Sequence, residues 1–143
     1  MRRQMTSAIV GIGVLLSAAP VLAHHSFAAE FDGSKPITLK GTLTRLDWIN
    51  PHGWIYLDVK GPDGTVANWA IQAGSPNTLS RRGLKKTDLP PGVEIVVKGY
   101  LAKSGARIIA GTIVTFADGR EFSVGSSGPG TPPGYGEERP PQR

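Results

Sequence analysis

The sequence predicts an all-β domain with one short helix, folded as a small Greek-key barrel of OB type with five to six strands. Short stretches of apolar/polar alternation recur between turn signals, the pattern of half-buried strands. A glycine, Gly41, sits in the middle of the first stretch, as at the corner of a strongly coiled sheet. A capped helical segment falls after the third stretch and before the fourth, which is where that barrel carries its helix. A plain β-sandwich is the rival, and it gives no reason for a helix at that point.

The first strand is read over residues 37–48, "ITLKGTLTRLDW", with Ile37, Leu39, Gly41 and Leu43 on one face and Thr38, Lys40, Thr42 and Thr44 on the other. Residues 54–59, "WIYLDV", form the second, closed by "GPDG", a turn by composition. The third covers 66–71, "VANWAI". In "GSPNTLSRRG", Ser75 suits an N-cap, Pro76 the first helical position and Gly83 the C′ position. Pro90-Pro91-Gly92 launches the fourth strand over 92–101. A Lys-Ser-Gly turn leads into the fifth over 106–116. Asp118-Gly119 offers a two-residue hairpin turn into a last short strand, "REFSV".

The ends of the chain read differently. Residues 1–23 have the three parts of a secretory signal peptide: Arg2-Arg3, an apolar run, and Val21-Leu22-Ala23 before the cut. The run is shorter than the roughly 20 residues a membrane span needs. The expected product is therefore exported, periplasmic or secreted, with no membrane span once the signal is cut and His24 as its first residue. With no cysteine in the chain, a lipoprotein anchor, a disulfide framework and a thiolate metal site are all excluded. Cleavage leaves about 120 residues, room for one small domain, read as 24–124. Residues 125–143, rich in Gly, Pro and Ser, are read as a disordered tail. Losing two arginines from a formal charge of +5 leaves only a mild positive excess. Nucleic acid is therefore not an expected partner; an envelope polymer or a periplasmic protein is.

Three groups of residues hold potential chemistry. In "WINPHGW", Asn50, Pro51 and Gly53 have the preferences of a type I turn between the first two strands. His52 is then either a passenger of that turn or an imidazole displayed beside the usual ligand face of an OB barrel. Trp54 and Tyr56 share one face of their strand with Asp58, while Ile55, Leu57 and Val59 point the other way as core. With Trp48 and Trp69 they read either as cover for the open end of the barrel or as an aromatic ligand face. Arg81, in the run Arg81-Arg82-Gly83-Leu84-Lys85-Lys86, reads as a solvated helix end or as a polyanion contact. The ligand-binding candidates are thus Trp48, Asn50, His52, Trp54, Tyr56 and Arg81.

The chain has three histidines, and His24 and His25 lie directly after the cut. A free α-amine and the Nδ1 of an N-terminal histidine form a chelate. His25 or His52 adds the further nitrogen of a tetragonal site, the geometry that favours Cu(II). A zinc site with Glu30 or Asp32 is the weaker version. The bland reading is that residues just past a cleavage site fray and are unselected for structure. No nucleophile elbow, paired carboxylates or phosphate-cradling glycine loop is present, and Ser26 beside His25 has no third partner. No enzyme is expected.

The combination of "HHSFAAEFD" after a signal peptide, "NPHGW", "GSPNTLSRRG" and "LPPGVEIVVKGY" resembles a family of small exported bacterial proteins of unknown function, over residues 24 to about 122. The matching positions are His24 to Phe27, Asn50 to His52, Trp54, Ser75 to Asn77, Leu79 and Arg81. The resemblance implies an exported, β-rich domain and no mechanism. The expectation is an exported, non-enzymatic binding or accessory module, with a copper-binding protein using His24, His25 and His52 as the alternative.

Overall fold

The computed structural model describes residues 26–126 and 131–132. A single helical turn, α1 (Phe27–Glu30), leads into the long strand β1 (Phe31–Asp47). Then follow β2 (Trp54–Lys60), β3 (Val66–Gln72), helix α2 (Pro76–Arg81), a 3-10 turn at Lys86–Asp88, and β4 (Glu94–Ala102), β5 (Ile108–Phe116) and β6 (Glu121–Ser123). The strands form one sheet in the order β3-β2-β1-β4-β5-β6. An additional parallel pairing of β3 with β5, Ile71 opposite Ile109, closes β1-β2-β3-β5-β4 into a ring. This is the pairing order of the OB type, with α2 between β3 and β4 as the sequence predicts. No described helix is long and apolar enough to cross a membrane.

The ring closes because β1 serves two neighbours. Its residues 36–42 pair with β4 and its residues 41–47 with β2. Gly41 stands where the two runs overlap, opposite both Val59 and Ile95, and a Cβ there would collide with the backbone carbonyl of Asp58. The sequence places the bend at Gly41 correctly but misses a bulge three residues later. Leu43 faces Leu57 and Arg45 faces Tyr56, so Thr44 is extra. The inward set therefore changes phase, from Leu39 and Leu43 to Leu46.

The interior is aliphatic: Leu43, Ile55, Leu57, Ile71, Val97 and Ile109 are all essentially inaccessible to solvent. Trp48 and Trp69 pack against this core as partly buried residues. A second, smaller cluster joins Phe27, Phe31 and Ala110 under Tyr100. Phe27 lies 5.6 Å from both Phe31 and Tyr100, edge-on to the latter.

Helix α2 is bounded as its sequence dictates. Ser75 Oγ accepts the N–H of Thr78 at 3.3 Å, and Pro76 opens the helix. At its end Gly83 takes φ +89°. Its N–H donates to Ser80 O, and Leu84 N–H donates to Leu79 O, the paired bonds of a Schellman motif. Leu79 and Leu84 are both buried in the main core, which fixes the helix over the closed sheet. The basic run divides: Arg81 is exposed, whereas Arg82 donates to the carbonyls of Ser123 and Gly125 and ties α2 to the segment around β6.

Two boundaries shift. The packed chain continues past residue 124, since Gly125 is buried, and Pro132 lies over Gly33, where a Cβ would meet its ring at 3.3 Å. The first strand also begins at Phe31 rather than at residue 37, with α1 directly before it. The segment read as a signal peptide, His24, His25 and the rest of the tail lie outside the described residues.

Candidate functional site

The outer face of β1–β2–β3 carries the aromatic pair. The alternation of β2 sends Ile55 and Leu57 into the core and leaves Trp54, Tyr56 and Asp58 on the other side, half-buried. Cross-strand neighbours complete this face. Asp47 and Gln72 flank Trp54, Arg45 and Ala70 flank Tyr56, and Asn68 lies opposite Asp58. Asn68 Nδ2 donates to Asp58 Oδ1 at 2.8 Å and to Thr44 Oγ1 at 3.1 Å. Neither core cluster includes Trp54 or Tyr56. The four aromatic candidates therefore split: Trp48 and Trp69 cover the core, while Trp54 and Tyr56 belong to the surface.

Tyr56 is already covered. The Arg45 guanidinium lies over its ring, 3.8 Å from the centroid, and Arg45 Nη2 donates to Asp47 Oδ2 at 3.2 Å. Hydrogen bonding to the Tyr56 phenol first, and then the Asp47 charge, hold the Arg45 pKa above its ordinary value. Trp54 is open on a groove of about 310 Å³. The walls are Phe31 and Ala29 on one side, Ile108 on another, and the β4–β5 turn with Lys103 and Ser104 on the third. Lys103 fastens that turn to α1: its N–H donates to Glu30 O at 2.9 Å and its ammonium to Ala28 O at 2.6 Å. The last bond gives a carbonyl of this short helical turn a donor from outside it. The groove is thus mainly apolar, with a tryptophan, an acid (Glu30) and a hydroxyl (Ser104) around it.

The first loop differs from the turn predicted for it. The Asn50–Pro51 peptide is cis, so the link is not a type I turn with Pro51 at its second position. Ile49, Asn50 and Pro51 are exposed, but His52 is tucked in and half-buried. Gly53 anchors it from below, donating to Gly74 O at 3.0 Å and accepting from Ala73 N–H at 2.8 Å. The Nδ1 of His52 is shielded from solvent and meets no hydrogen-bond partner among the described residues.

Of the other candidates, Arg81 stands on the last turn of α2 and lines neither this groove nor the Trp54 face. Asp32 is engaged locally: it accepts the hydroxyl and the N–H of Ser34 at 2.6 and 2.9 Å, and these bonds hold its pKa below the usual carboxylate range. Among the described residues no three His, Cys, Asp or Glu side chains gather as a metal set. Sequence reasoning missed Arg45, Asp47, Phe31, Lys103 and Ile108. A signal for the first two existed. Leu43 and Leu46 are three apart in an otherwise alternating strand, which marks the bulge that turns Arg45 outward. The others meet Trp54 only through chain closure.

Residues 13–112 match the profile of a family described as "Family of unknown function (DUF6152)". No curated protein and no solved structure matches the chain.

Proposed function

We propose, for a chain that belongs to the DUF6152 family of unknown function, an exported binding or accessory protein whose ligand seat is the Trp54 groove. A single observation carries this reading. Trp54 is a half-buried aromatic outside both cores, at the foot of a groove bounded by α1 and the β4–β5 turn. An indole so placed offers a flat apolar surface with a polar N–H edge, suited to stacking on sugar rings or on a partner's side chain. In an OB barrel the first and the β4–β5 loops border the ligand face, and Trp54 begins β2 just after the first of them. An envelope polymer is the proposed ligand class.

The test is retention of the purified mature protein on isolated cell-wall sacculi. Trp54→Ala is expected to weaken retention roughly tenfold or more, the loss typical of a central aromatic anchor. Trp69→Phe, which alters a core-packing ring, is the control and should bind as the parent does. Equal retention of Trp54→Ala would remove the groove from consideration.

A second reading rests on His52, whose shielded Nδ1 meets no hydrogen-bond partner among the described residues. We propose as the alternative that this imidazole joins His24 and His25 in binding Cu(II), through nitrogen donors that include the new α-amine. Copper titration of the protein cut before His24, followed by EPR, should give a nitrogen-ligated signal. It should be lost in His52→Ala and in a version with Met placed before His24. An unchanged signal in both variants rejects the three-histidine site.

A further inference from the structure

A second groove lies away from the Trp54 seat, where the β1 bulge faces the link between the 3-10 turn and β4. Its volume is about 450 Å³, and Leu46, Leu89, Pro90 and Pro91 provide apolar walls. That size falls within the roughly 300–1,000 Å³ of small-molecule sites, which are apolar with a few placed polar groups. The groove is built rather than incidental. Leu89 is buried in the main core. Gly92 N–H donates to Leu43 O and Leu43 N–H to Val93 O, pinning the Pro90-Pro91-Gly92 turn against β1.

Two cations line it, Arg45 and Lys86. The bulge at Thr44 aims Arg45 outward, its guanidinium carbon lies 3.8 Å from the Tyr56 ring centroid, and Asp47 takes one Nη at 3.2 Å. A guanidinium has five N–H donors, so some of its fork remains available after Asp47 and the Tyr56 phenol are served. The neighbouring acids are accounted for. Asp47 offsets one of the two positive charges. The Asp88 carboxylate accepts the Lys85 N–H at 2.8 Å and faces, at 3.8 Å, an Arg120 that also pairs with Asp118 at 2.7 Å. Lys86 makes no ion pair among the described residues, and its charge lies beside an apolar trough.

From this we infer that the groove binds a medium-chain aliphatic carboxylate, its chain between Leu46, Leu89 and the two prolines and its head against Arg45 and Lys86. A single negative charge balances the Lys86 charge, and a planar carboxylate matches the fork of a guanidinium. The site is independent of the Trp54 groove and would survive the failure of that reading.

Sodium decanoate, kept below its micelle concentration, is the probe, with binding followed by amide chemical shifts of the isotope-labelled protein. The shifts are expected at Leu46 and Thr87 and not at Ser104 or Ile108. Octanoate should bind roughly tenfold more weakly, as two fewer buried methylenes require. Decanol and decyltrimethylammonium should bind at least fivefold more weakly than decanoate. Arg45→Gln and Lys86→Gln, both at exposed positions, should each weaken decanoate about fivefold or more and leave decanol unchanged. The inference is overturned if decanoate and decanol bind alike, if neither variant changes decanoate affinity, or if the shifts map to the Trp54 groove.

Discussion

Gly41→Val is expected to destabilise the protein by about 3 kcal/mol or more, read as a shift in the urea midpoint. The first side-chain carbon at residue 41 would run into the backbone carbonyl of Asp58 on β2, which no rotamer relieves. At the same residue β1 also pairs with Ile95 of β4. Moving β1 away from β2 therefore pulls at the second seam. Gly41→Ala should cost nearly as much, because the collision begins at Cβ. A loss below about 1 kcal/mol for valine would show that the strand bends without need of the glycine. At an open position such as Gly92, where an added Cβ meets nothing within 4 Å, the cost would come only from its positive φ.

Leu57→Ala is expected to cost about 3–4 kcal/mol, the range for deleting a fully buried leucine that its surroundings cannot collapse upon. Leu57 has no accessible surface and stands between Leu43 on β1 and Trp69 on β3. Both neighbours belong to strands held in place by the ring, so the cavity persists. Thermal and urea unfolding should agree on the loss. Leu57→Met, which conserves volume, should cost less than about 1.5 kcal/mol. If alanine were as mild as methionine, the interior would have to be looser than its inaccessible aliphatic residues imply.

The two grooves share a structural origin. The bulge at Thr44 that sets Arg45 on Tyr56 also brings Arg45 and Leu46 to the carboxylate groove, while Trp54 serves the other groove from the far end of the same face. Tyr56 and its guanidinium cover lie between them on β2. The platform next to Trp54 is therefore cationic rather than bare aromatic.

Much of this was legible in the chain. Alternation separated Ile55 and Leu57 from Trp54 and Tyr56 without any long-range information, because a strand has only two faces. The start and stop of α2 were written in Ser75, Pro76 and Gly83, since capping depends on residues within a turn of one another. Gly41 marked the bend because a missing side chain in a strand points to a close approach. Four matters were decided only in three dimensions. Trp48 and Trp69 turned to the core while Trp54 did not, which depends on what packs opposite each ring. His52 became shielded because Gly53 is bonded to Ala73 and Gly74, twenty or more residues on. Arg82 left the solvated basic run to bind carbonyls of the segment around β6. The Trp54 groove arose where α1 and the β4–β5 turn, remote in sequence, were joined by Lys103. Local chemistry determines faces and caps, but a groove is a gap between distant segments, and its shape exists only once the ring has closed.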